Sequence, residues 1–414
     1  MAARARGPSK AIAVAIVLIA ALGFLAWRML RPLNIFVVSA AFERPLDTHG
    51  APFPPAALSA VECGRCHAAT FEEWQSTVHS QAWTDPYFQT DWRFEGAKPV
   101  CRNCHTPLDR QQEERVLGFR DADKWDPILS ANPDFDRGLQ HEGVTCAACH
   151  LRDGAILGPF ADPAAPHPVK RIEDANEICV RCHVVSGGRW DTFFRFPPCG
   201  TAAEIAETQG TWPGRSGEYT VGSVRELGCV QCHMPAVERP LVAGGAVRTS
   251  HRHLWRGGHD PAMVTTALAV DVAEVETGST GRRSFALTIT NVGTAHYLPT
   301  GTPDRHLTVQ WRLFDAQGTP IAEQQDTLER LVLWRPFIVD LWDTRLRRDE
   351  PRTYRFAFPT QREPQPARLQ AEVRYHLLHE SRRSRIGYAN QTPIDYPVFE
   401  RVIALQTGPA AQAR

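Results

Sequence analysis

The chain has 414 residues, with 46 basic and 46 acidic side chains and no formal net charge. Nothing in that balance selects for nucleic acid or another polyanion, and the length allows two or three domains. Eleven cysteines and sixteen histidines carry the chemical information.

Arg4, Arg6 and Lys10 precede an uncharged apolar run over residues 11–27, and Arg28 and Arg31 follow it. These seventeen residues sit at the lower limit for a membrane-spanning helix and exceed a usual signal-peptide core. Ser39-Ala40-Ala41 could serve as a cleavage site, but it lies too far beyond the run, with arginines between. Residues 1–32 are therefore expected to be a single uncleaved transmembrane anchor, and 33–59, rich in proline and small residues, a tether.

Five copies of C-x-x-C-H follow. They are Cys63/Cys66/His67, Cys101/Cys104/His105, Cys146/Cys149/His150, Cys179/Cys182/His183 and Cys229/Cys232/His233. This is the attachment signature of c-type haem. Two thiols add to the vinyl groups of one porphyrin, and the adjacent imidazole becomes the proximal iron ligand. Structural zinc needs paired C-x-x-C units or a distant His pair, and a disulfide framework has no use for the histidine. The pattern predicts five covalently attached haem c groups. Since such haem is attached outside the cytoplasm in bacteria, the bulk of the chain is expected in the periplasm, held to the cytoplasmic membrane by a single pass.

The motifs begin 38, 45, 33 and 50 residues apart, a repeated function without a structural period. Residues 60–260 are rich in Gly, Pro, Asp and Arg, so short helices and loops with little sheet are expected, each motif opening a short helix. Porphyrins would have to supply the core that aliphatic residues do not. The eleventh cysteine, Cys199, has no evident partner and reads as an unreactive thiol.

Candidate distal ligands stand nearby. His79 lies twelve residues past His67 in a helical pattern with Phe71, Trp74 and Val78. His253 and His259 are two of three histidines within the nine residues 251–259; the third, His251, is read as solvent-facing. His141 and His167 are held in reserve, and His49 belongs to the tether.

The stretch Trp74-Gln75-Ser76-Thr77-Val78-His79 resembles the W-x-x-S-x-H segment of the multihaem cytochrome c superfamily that includes hydroxylamine oxidoreductase, octahaem tetrathionate reductase and the tetrahaem cytochromes of nitrifiers. Glu142-Gly143-Val144 before the third motif and Met234-Pro235 after the fifth look like that family's E-G-V and C-H-M-P. Residues 253–259 resemble its closing H-x-F-x-G-G-H, with Leu254-Trp255 departing at the aromatic position. The resemblance spans about 60–260 and implies that His79 is the distal ligand of a haem other than its own.

Beyond residue 262 the pattern changes to period two. Phe285, Leu287 and Ile289 alternate with polar residues, as do Leu307 to Leu313, Tyr354 to Phe358 and Leu369 to Tyr375. Turn residues separate the runs, which predicts an antiparallel β-sandwich of about seven strands over 262–405, with a tail at 406–414. The loop Gly293-Thr294-Ala295-His296-Tyr297-Leu298-Pro299-Thr300-Gly301 resembles the G-H-x-x-P-T-G loop of sandwich domains fused to multihaem cytochromes. His296 is accordingly a further expected ligand.

The expected fold is thus a mainly α and irregular multihaem cytochrome domain, a C-terminal antiparallel β-sandwich and one transmembrane helix. The expected role is electron transfer between a redox protein donor and acceptor at the inner membrane, the quinol pool included, with no catalytic residue and no nucleic acid. Reduction of a nitrogen or sulfur oxyanion at one five-coordinate haem, a quinol dehydrogenase and a docking scaffold are the alternatives.

Overall fold

The computed structural model describes residues 10–31, 43–183, 191–196, 199–210, 228–276 and 281–405. The tail at 406–414 and the first part of the expected tether, 33–42, lie outside the described residues.

Lys10–Leu30 is one helix of 21 residues with a mean hydropathy of 2.3 over its most apolar window. Its side chains point outward almost throughout, and only Arg28 is buried. The described part of the expected tether does not run free. Leu46 pairs with Leu108, and Leu46, Ala51 and Phe53 pack on a small apolar cluster around Leu58, Leu139 and Leu151.

The motif region is built from short helices. Ala60–Gly64 is capped by the Ser59 hydroxyl, which accepts the Val61 amide at 3.2 Å. The Asp85 carboxylate accepts the Tyr87 and Phe88 amides at 3.3 and 3.0 Å and starts Pro86–Phe94. Every motif touches a helix, but in two ways. Cys146–His150 and Cys229–His233 begin with the first cysteine. Ala60–Gly64, Pro99–His105 and Asn176–His183 instead reach their motifs at the C-terminal end. More sheet is present than composition suggested. Glu114–Phe119 pairs with Pro127–Ala131, Ala236–Pro240 pairs with Val247–His251, and Leu151–Arg152, Ala155–Gly158 and Val169–Arg171 form a third small sheet.

The C-terminal region holds two larger antiparallel sheets. In one, Arg282–Asn291 lies between Leu268–Val275 and Arg352–Pro359. In the other, the order is Pro320–Leu328, His306–Phe314, Arg368–His376, Asp395–Ala404. Alternation fixes which face is inward. Leu307, Val309, Trp311 and Leu313 are wholly buried, and they share one apolar cluster with Phe285, Leu287, Ile289, Phe356 and Phe358 from the first sheet. A third sheet crosses the expected domain boundary: Thr192–Phe193 runs parallel to Ile338–Asp343, which pairs with Arg330–Leu333.

Candidate functional site

All sixteen histidines are among the described residues, and their rings form a pattern. His79 faces His183 with ring centres 6.4 Å apart and planes crossed at 81°. His253 faces His150 at 6.0 Å and 29°. His296 faces His233 at 6.4 Å and 12°. Imidazoles in van der Waals stacking sit near 4 Å, as His306 and His379 do at 4.0 Å. Two imidazoles sharing one metal, at about 2 Å from each ligating nitrogen, place their ring centres about 6 Å apart. The three facing pairs match the second spacing.

The nitrogen atoms are arranged to the same end. Nδ1 of His67 faces the Leu241 carbonyl at 2.9 Å, that of His105 the Ala82 carbonyl at 2.7 Å, and that of His150 the Leu157 carbonyl at 2.7 Å. His233 is held by the Arg256 carbonyl, His253 by that of His251 at 3.0 Å and His296 by that of Tyr297 at 2.8 Å. A carbonyl only accepts, so each Nδ1 carries the proton and Nε2 keeps a free lone pair. Burial, then the nearby imidazoles, pushes the His79 pKa down to about 3. Burial also pushes His253 and His296 down to about 4. These rings are neutral at physiological pH, the form that binds a metal.

Local sequence explains the placement. Glu142 accepts the Ala60 amide at 2.7 Å and the Thr145 hydroxyl at 2.8 Å, tying the first motif's helix to the third motif. The Val144 amide donates to the His79 carbonyl at 2.9 Å, and Trp74 Nε1 donates to the Val144 carbonyl at 2.8 Å. Glu73 holds His253: its carboxylate accepts the His253 amide at 2.9 Å and takes Arg239 in a two-pronged contact at 2.7 and 2.8 Å. His296 sits in a loop fastened to Glu204, which accepts the Tyr297 amide at 3.1 Å and the Thr300 hydroxyl at 2.7 Å. Arg345 in turn lies 2.6 Å from Glu204, with both side chains almost fully buried. Sequence reading missed Glu73, Glu204 and Arg345, because isolated charged residues carry no spacing signal.

The motif cysteines also fall into order. The side chain of Cys63 neighbours that of Cys146, Cys104 neighbours Cys182, and Cys179 neighbours Cys229. Cys149 lies near Cys179 as well. The fourth motif therefore adjoins the second, third and fifth, and the first adjoins the third.

The motif cysteines differ in exposure. Cys66 and Cys232 are exposed, whereas the other eight motif cysteines are half-buried. In each of these two motifs the first cysteine takes the inward place, Cys63 towards Cys146 and Cys229 towards Cys179, and the second is left at the rim. A thioether needs only one sulfur within reach of a vinyl group, so exposure is compatible with attachment. It puts Cys66 and Cys232 at the solvent edge of the site, not in its interior.

The family model "Cytochrome c554 and c-prime" matches residues 62–124, the stretch holding the first two motifs. Over 85% of this chain and 100% of the other, the structure is similar to a penta-heme cytochrome c552 from Thermochromatium tepidum, with 20% identity and a TM-score of 0.58. The fold is that of a multihaem cytochrome c. Two further solved chains, a structural-genomics target at 14% identity and a β-galactosidase from Bacteroides fragilis at 11%, each match 36% of this chain. They cover 97% and 16% of the other chain, and their TM-scores of 0.18 and 0.16 are too low to bear on the fold. No curated protein matches the sequence.

The residues present suit covalently bound haem c: paired cysteines, adjacent imidazoles of which four turn Nδ1 to a carbonyl, and opposed imidazoles at ligation spacing. His67 and His105 differ from the other three proximal histidines. Among the described residues no imidazole faces either at 6.0–6.4 Å. Phe88 stacks on the His105 ring at 3.6 Å instead. His259 is exposed overall and lies near Asp85 and Arg305, and desolvation of its ring by the surrounding protein pushes its pKa down to about 4. His251 is half-buried, not solvent-facing, with Nδ1 2.7 Å from the Met234 carbonyl. His141 is exposed, and His49 sits among the surface carboxylates of Asp47 and Asp109. Nδ1 of His167 is buried and has no hydrogen-bond partner. Cys199 takes a positive φ of 59°, and its amide donates to the Gly301 carbonyl at 3.3 Å.

Proposed function

We propose that the chain is a membrane-anchored, periplasmic pentahaem cytochrome c that carries electrons between redox partners, with a C-terminal β-sandwich supplying one iron ligand. Bound haem supplies one-electron chemistry, and the protein fixes spacing, ligation and burial. The three opposed imidazole pairs carry this reading. With haem bound, His79 and His183 would together hold the fourth iron, His253 and His150 the third, and His296 and His233 the fifth, and irons so held would have no open position for substrate.

The other two caps are assigned by neighbourhood. The turn that offers the Leu241 carbonyl to His67 belongs to the hairpin of Ala236–Pro240 and Val247–His251. Arg248 on that hairpin holds Asp162 at 2.8 Å, in the loop that carries His167. The orphaned His167 ring nitrogen is thus the candidate for the first iron. His259 and His105 both lie near Asp85, which makes His259 the candidate for the second. The adjacency of the cysteines supports a branched order in which the fourth haem joins the second, third and fifth.

A second reading, reduction of a nitrogen or sulfur oxyanion at an open haem, is favoured by the lack of an imidazole facing His105. Low-temperature electron paramagnetic resonance of the oxidised holoprotein separates the two. Five low-spin irons and no carbon monoxide binding fit the carrier. One high-spin iron with steady turnover of nitrite or hydroxylamine replaces it by the reductase. A pyridine haemochrome assay that finds fewer than five covalent haems removes the pentahaem assignment.

A further inference from the structure

The anchor helix does not leave the body freely. Its last turns are fastened to the small sheet formed by Arg330–Leu333, Ile338–Asp343 and Thr192–Phe193. Arg28 Nη1 lies 2.9 Å from Asp191 Oδ2, and Arg31 Nη1 lies 3.4 Å from the same atom. Arg28 Nε donates to the Pro336 carbonyl at 2.8 Å. Arg335 Nη1 donates to the carbonyls of Met29 and Arg31 at 2.7 and 2.6 Å, satisfying acceptors that a helix end leaves open. The rings of Phe24 and Phe337 are 6.3 Å apart.

The two faces of this sheet differ. Val332 and Ile338 turn inward with Phe194. On the other face Leu333 stands opposite Val339, and Val339 opposite Phe193, in one cross-strand row. Leu333 is 41% exposed and Phe193 48%. Trp27, near the helix end, is 52% exposed. An apolar row facing outward beside an apolar helix end marks a contact surface.

We infer that this face of the sheet lies on the lipid bilayer, at the headgroup boundary where the anchor emerges. The inference rests on the reading of Lys10–Leu30 as a membrane span. The occupant follows from the fastening. Arg335 is bonded to the last carbonyls of the helix, so the sheet stands within one side chain of the span's end. Aromatic rings at such a level are at home with one side in acyl chains and one in water. The body is thereby held in one orientation on the membrane.

The test uses the full-length holoprotein in phosphatidylcholine–phosphatidylglycerol nanodiscs containing a lipid with a photoactivatable diazirine in its acyl chain. Labelled peptides are mapped by mass spectrometry. Label is expected on residues 10–31 and on the peptides containing Phe193 and Leu333, with none on residues 307–328. Phe193→Ser with Leu333→Ser should lower sheet labelling at least threefold and leave the anchor's label unchanged. Label confined to the anchor overturns the inference while the anchor reading stands. No label on the anchor overturns both. Cross-links between the sheets of two copies, in place of lipid label, assign the face to self-association and overturn it as well.

Discussion

The Val144 amide donates to the His79 carbonyl at 2.9 Å, so the segment before the third motif holds the imidazole that faces the fourth motif's His183. Gly143 makes this approach possible. Its φ is +60°, and a Cβ there would lie 2.7 Å from the His79 carbonyl oxygen and 2.9 Å from the Ala82 amide nitrogen. Gly143→Ala should cost about 1–2 kcal/mol for the backbone conformation alone. The clash adds to that and shifts the turn carrying both His79 and the Ala82 carbonyl that orients His105. Thermal unfolding and the low-spin spectrum should change together; an unaltered spectrum would separate the glycine from the ligand.

Replacing His79 itself isolates the pair. His79→Gly should leave every haem attached and open one iron, detected as one added carbon monoxide site per chain. Crossed imidazole planes give a strongly anisotropic low-spin signal, and the 81° pair is the most crossed of the three. That signal should therefore be the one lost. Loss of a different signal would reassign His79.

What could be read from sequence follows how local each constraint is. The C-x-x-C-H motifs were legible because attachment chemistry acts over five residues. The strands around Leu307–Leu313 and Phe285–Ile289 were legible because one buried face enforces period two. Which histidine meets which motif was not legible, since His296 faces His233 from 63 positions further along the chain. The exposure of Cys66 and Cys232 was hidden too, because the pentapeptide is the same in all five copies and burial depends on what packs around each. The same limit hid the parallel pairing of Thr192–Phe193 with Ile338–Asp343 and the packing of residues 46–58 against Leu108. Composition there is proline-rich, but a few apolar side chains suffice to dock it. Small sheets among the motifs were missed because two- to six-residue strands show too little alternation to register.

Glu204→Ala tests the fastening of the His296 loop. Burial pushes the Glu204 carboxyl up, against the pull of Arg345, and the Thr300 hydroxyl and Tyr297 amide complete its partners. Removing one member of a buried pair leaves the other charge uncompensated; here Arg345 keeps Asp343 at 2.7 Å, so the cost should be about 3 kcal/mol. Denaturant unfolding of the holoprotein reads the loss. A cost within error of zero would mean the loop is held by other contacts.

Acid should loosen the C-terminal sheets before it touches the motifs. His306 stacks on His376 at 4.3 Å and on His379 at 4.0 Å, a grouping that sequence reading passed over. Burial, then His379 and His376, pushes the His306 pKa down to about 4. A histidine whose folded pKa is depressed takes up its proton more readily when unfolded. Its contribution is therefore complete above about pH 6.5 and is lost as pH falls towards 4. At pH 5 the loss should be about 2 kcal/mol relative to pH 7. His306→Phe should flatten stability between pH 7 and 5, and an unchanged slope would place the titration elsewhere.

His296 is the ligand that would make the two regions one redox unit. It faces His233 at 6.4 Å and 12°, its Nδ1 is fixed by the Tyr297 carbonyl at 2.8 Å, and burial keeps the ring neutral. With Nδ1 protonated, Nε2 is the only lone pair the ring can give to a metal. His296→Ala should convert one low-spin haem to high-spin while all covalent haems remain, and exogenous imidazole should restore the low-spin form by filling the space the side chain leaves. The substitution deletes a buried ring without a charge, so the sheets should stay folded, as circular dichroism would verify. A low-spin spectrum identical to that of the parent would show that His296 packs at the junction without binding iron. The fifth motif's cap would then have to come from another histidine, with His251 beside Met234 the nearest in sequence.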